Sequence, residues 1–160
     1  VDEARDDLRC GGHRADSPHQ GAPVAVELGL ESLKHAGVEL GKRARHADAF
    51  GFEKFDQVFV AEYHLNGSTL SAFVSARGSP QAAKNLAAAY RTFLLSFGGK
   101  ALDDGGIRDA AIVEIMDEYD IIFTRDGFIA GVHAAADKSR AVALARSLDT
   151  SIGEAIRGRR

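Results

Sequence analysis

Between Val58 and Ala76, β-forming residues flank Asn66-Gly67, alternating between apolar and polar close to it and running apolar on both faces farther away. Alternation with a period of two marks a half-buried strand, and Asn-Gly suits a tight hairpin turn whose central residues both need positive φ. A two-residue loop sets Leu65 opposite Ser68, Tyr63 opposite Leu70, Ala61 opposite Ala72 and Phe59 opposite Val74. That face is almost wholly apolar and is expected to meet the core. The other face pairs Val58 with Ser75, Val60 with Phe73, Glu62 with Ser71 and His64 with Thr69. It is polar near the turn and apolar near the open end.

The pattern then changes period. After Ser79-Pro80, a capping hydroxyl followed by a first-turn proline, Ala83, Leu86, Ala87, Tyr90, Phe93, Leu94 and Phe97 recur at helical spacing up to Gly98-Gly99. Ala110 to Met116 predicts a strand, and Tyr119 to Arg125 with Phe128 to His133 a second hairpin across Asp126-Gly127. A last helix, starting near Ala135 or Asp137, carries Ala141, Leu144, Ala145, Leu148, Ile152, Ala155 and Ile156 as its apolar stripe. The expected fold is α+β: a two-layer antiparallel sheet of hairpins with two amphipathic helices on one face, in ββα-βββα order.

Ahead of the first hairpin the pattern weakens. Residues 1–22 read as a polar arm, mobile or bound to a partner, and 23–160 as one domain. Pro23 to Leu30 is a candidate edge strand and Glu31 to Ala36 a helical turn. The basic run Lys42, Arg43, Arg45 and His46 reads as a solvated loop or short helix face, and Phe50, Phe52 and Phe55 as a plug at one end of the core. Lys100 to Asp109 reads as a turn-rich connection.

Composition changes this picture little. The chain has 160 residues, 45% hydrophobic and 27% charged, with a net charge of −3. Those values suit one globular domain and give no reason to expect nucleic acid as a partner. A single cysteine, Cys10, excludes an intrachain disulfide. No apolar run reaches the roughly 18 residues of a membrane helix. Val1 in place of a methionine fits either a processed chain or a fragment.

The run from Gly51 to Gly99, with Phe59-Val60-Ala61-Glu62-Tyr63, followed by Ile115 to His133 with Phe128-Ile129-Ala130-Gly131-Val132, resembles an uncharacterised bacterial domain-of-unknown-function family. The resemblance covers about Phe50 to Leu148. It implies a duplicated α+β unit and an exported, extracytoplasmic setting, with this chain corresponding to the C-terminal part of such a protein. It transfers no active-site residue.

Candidate chemistry is sparse. No phosphate loop, dinucleotide glycine motif, nucleophile elbow, zincin helix or EF-hand loop is present, and nothing calls for a cofactor. Cys10, His13 and His19 are irregularly spaced in the glycine-rich arm and make a poor metal site. Asp120 falls opposite His133 in the second hairpin, so a carboxylate–imidazole pair is expected, either a structural ion pair at the sheet rim or the orienting half of a general base. Val58, Val60 and Phe73 would form an apolar patch on the face away from the helices and are the candidate partner surface. The leading reading is therefore a non-catalytic extracytoplasmic binding or accessory module that meets another protein chain. The alternatives are a small metal-dependent or hydrolytic enzyme using Asp120 and His133, and a domain holding a small apolar ligand.

Overall fold

The computed structural model describes residues 39–46, 48–65, 67–103 and 106–158, with backbone only for 39–46 and 65. Among the described residues seven strands form one sheet: β1 Glu39–His46, β2 Val58–Leu65, β3 Ser68–Ala76, β4 Lys100–Leu102, β5 Ala111–Ile115, β6 Glu118–Arg125 and β7 Phe128–Ala135. Helix α1, Pro80–Ser96, follows β3, and α2, Lys138–Arg157, follows β7. The strand order is β1-β2-β3-β7-β6-β5-β4, and every neighbouring pair is antiparallel. The α+β class and the way hairpins feed each helix are those the hydrophobic pattern predicts. The arm, the Pro23 to Leu30 strand and the turn at Glu31 to Ala36 lie outside the described residues.

Local chemistry explains the elements. Leu65 pairs with Ser68, so a two-residue connection closes β2 onto β3, and the rungs run back to Phe59 with Val74 as expected. Asp126, in left-handed conformation at φ 49°, opens the turn that pairs Arg125 with Phe128. Ser79 caps α1 by accepting from the amide of Ala82 at 3.1 Å, and Asp137 caps α2 by accepting from the amide of Arg140 at 2.9 Å. Two segments differ from expectation. The basic run 42–46 lies in β1, which pairs with β2 as the edge of the sheet. Charged edge strands resist adding a further strand, which is why a basic sequence suits that place. Lys100 to Leu102, expected within a loop, forms the opposite edge against β5.

The helices do not share a face, and this corrects the two-layer expectation. Ala141, Leu144, Ala145, Leu148 and Ile152 of α2 pack with Ala61, Tyr63, Leu70, Ala72, Val74, Ile121, Phe123 and Val132. Tyr90 and Leu94 of α1 pack with Val58, Phe73, Val113, Ile122 and Ile129, which point the other way from the same strands. The sheet is the middle of three layers. The reason is visible in Ile121-Ile122-Phe123, a continuous apolar run that a sheet wet on one side would interrupt with polar residues. α1 does not cover that face alone. The segment carrying Ala49, Phe52 and Phe55 completes the cover over Val58 and Phe73, as the aromatic plug predicted. Phe73 lies directly across Gly131, where a Cβ would fall 2.8 Å from its ring and 1.8 Å from the Ile121 carbonyl oxygen.

Candidate functional site

The rung above Phe73 on the α1 face carries Ser71 on β3, His133 on β7 and Asp120 on β6. Between Tyr119 and Ile121 the β6–β7 register shifts by one residue, so β7 holds His133 and Ala134 against Asp120 alone. Ala134 absorbs that bulge in left-handed conformation, φ 50°. The regular register up to Ile121 and Val132 sets the imidazole against the carboxylate, and the bulge follows directly: His133 Nδ1 lies 2.7 Å from Asp120 Oδ1. From the helix above, the Tyr90 hydroxyl donates to the same oxygen at 3.2 Å.

Asp120 is 1% exposed and Tyr90 is fully buried, whereas the side chain of His133 keeps 28% of its surface. Burial, with the Asp120 charge beside it, pushes the Tyr90 hydroxyl far above the usual tyrosine range, so it stays protonated and serves as a donor. A carboxylate only accepts, which places a hydrogen on Nδ1 and leaves Nε2 as the outward edge of the ring. Among the described residues Nε2 has no hydrogen-bond partner and it is not buried. The ring of Phe50 covers one side of the imidazole, with centroids 3.9 Å apart and planes tilted by 30°. Phe50 reaches that position from a left-handed backbone, φ 59° and ψ 26°, which is costly for a residue with a bulky side chain.

The structure thus brings Asp120 and His133 together and adds Tyr90 and Phe50, which sequence reading assigned to the core. Helical spacing placed Tyr90 on the buried face of α1, but nothing local to either residue specifies which strand it meets. Val58, Val60 and Phe73 are corrected as a partner surface. Val58 and Phe73 are fully buried and Val60 packs against the same cluster, because α1 and the aromatic segment cover the face expected to be open. What stays open is the polar end of that face. Glu62 and Ser71 are half-buried, His64 and Thr69 are exposed, and His64 Nδ1 lies 3.1 Å from Thr69 Oγ1. Cys10, His13 and His19 lie outside the described residues. Among the described residues no three His, Cys, Asp or Glu side chains converge as a metal site, and no helix is long and apolar enough to cross a membrane.

In comparisons with family models, curated proteins and solved structures, nothing matches this chain.

Proposed function

We propose that this chain is a binding module, an accessory subunit of an extracytoplasmic assembly, that engages a partner protein at the polar rim around His133. One observation carries the reading: three separate costs converge on a single imidazole. A carboxylate is buried beside it, Ala134 is held in a left-handed bulge, and Phe50 is held in a left-handed turn over its ring. Such costs persist where a surrounding structure over-determines them, and they concentrate at working sites. The result is an imidazole with its Nε2 edge held in one orientation, bordered by Glu62, His64, Thr69 and Ser71, suited to a hydrogen bond with a partner chain. The extracytoplasmic setting rests on the resemblance to exported bacterial proteins.

A second reading has its own observation. An imidazole fixed by a carboxylate with Nε2 open is also the arrangement of a general base, and Ser71 sits across the strand pair from it. Two measurements separate the readings. A photo-crosslinking residue at His64, installed in the producing cells, is expected to trap a protein that the same residue at Glu154 on α2 does not. Asp120→Asn, which unseats the imidazole without removing it, is expected to reduce the adduct. Equal trapping from both positions, or none from His64, rejects the rim as an interface. Hydrolysis of a p-nitrophenyl ester that disappears in His133→Gln decides for the base.

A further inference from the structure

Towards the other end of β6 from Asp120, a cleft of about 760 Å³ opens between the start of α1, the second half of α2 and the loop before β5. Cations from four elements line it: Lys84 on α1, Arg108 in the loop, Arg125 on β6 and Arg146 on α2. Asp149 is the internal counter-charge. Both its oxygens accept from Arg125 Nη1, at 3.2 and 3.3 Å. Arg125 packs closely over Gly153, where a Cβ would fall 2.6 Å from Nη2, so a side chain at that position would push the guanidinium aside. Lys84 and Arg108 are exposed and have no ion-pair or hydrogen-bond partner among the described residues. Asp109 and Asp126 also border the cleft. They disfavour a polyanion and favour a small molecule with one oxyanion group and hydrogen-bond donors on its remainder.

We propose that this cleft binds a small anionic ligand through a single oxyanion group, phosphate or carboxylate, contacted by Arg125, Lys84 and Arg108. A guanidinium fork held in place before binding loses little entropy on engaging an oxyanion, and the two unpaired cations supply the charge that its own partner Asp149 offsets in Arg125. This site is independent of the rim around His133.

The test is calorimetric titration of the full chain at constant ionic strength, with inorganic phosphate in one arm and glycolate in the other. Saturable binding is expected in at least one arm, and the arm that binds identifies the oxyanion. Lys84→Ala with Arg108→Ala is expected to weaken it by about tenfold or more, since each charge-assisted contact is worth a sizeable part of such an affinity. His133→Gln should bind as the wild type does. Arg108→Gln alone replaces the double variant if that one does not fold. No saturable binding in either arm, or an affinity unchanged when the cations are removed, overturns the proposal.

Discussion

At the scale of single residues, Tyr90 ties the core to the candidate site. Its ring packs against Phe55, with centroids 4.4 Å apart, while its hydroxyl holds Asp120. Its folded-state pKa is raised, so the folded protein binds that proton more tightly than the unfolded chain does. The stabilisation is complete below the ordinary tyrosine value of about 10 and is lost as pH rises above it, because only the unfolded state then releases the proton. Urea midpoints are expected to fall above about pH 10, and Tyr90→Phe should flatten that fall. An equally steep alkaline loss in Tyr90→Phe would place the titrating group elsewhere. At the acid end Arg77 beside Asp56 holds that carboxyl below its usual range, so the pair's contribution begins to fade once pH drops below the ordinary carboxyl value and is gone once pH has fallen through the depressed one. Asp120 and His133 were legible as a pair because both strands meet in one local turn. Tyr90 and Phe50 were not, since their places depend on how a helix and a loop are laid over the sheet.

At the scale of elements, the turn between β5 and β6 stores strain without a visible return. Ile115 pairs with Glu118, so Met116 and Asp117 alone reverse the chain, at φ 52° and 63°. Both central residues have positive φ, as the hairpin turns favoured by strand twist require, yet neither is glycine. Met116 is also 83% exposed, so its side chain contributes no packing that would offset the cost. Met116→Gly is expected to stabilise the fold by about 1 kcal/mol, the usual penalty of a left-handed backbone for an L-residue. Chemical denaturation of the two proteins measures it, and an unchanged or lower midpoint would mean that Met116 is held by a contact of its own. The other hairpins were readable residue by residue, because a two-residue loop sets every rung behind it. Strands β1 and β4 were not readable. A basic run and a three-residue segment have no β pattern of their own, and they pair because β2 and β5 offer an open edge.

At the scale of the whole molecule, the division of the helices between two faces decides what is surface. With both helices on one side, Val60 and Phe73 would be an exposed patch, and Val60→Asp with Phe73→Asp would leave the fold intact. With α1 and the aromatic segment over them, the Phe73 substitution buries an unpaired charge among Phe50, Phe55 and Tyr90. The double variant is expected to lose its cooperative melt in circular dichroism. A native melt would restore the open face and the two-layer arrangement.

The sequence by itself determined what local geometry determines: two hairpins and their registers, the Ser79 cap, the apolar stripes of both helices except Phe97, which lies past the helix end and is exposed, and the pairing of Asp120 with His133. These follow from periods of two and 3.6 residues and from turn chemistry that acts over a few residues. Only the tertiary structure decided which face each helix covers, because an amphipathic helix needs an apolar surface and this sheet offers one on each side. The same choice buried Val58 and Phe73, set Tyr90 on Asp120 and left the imidazole edge of His133 open between Phe50 and the polar rim. An apolar stripe states that a face will be buried. Long-range packing states against what.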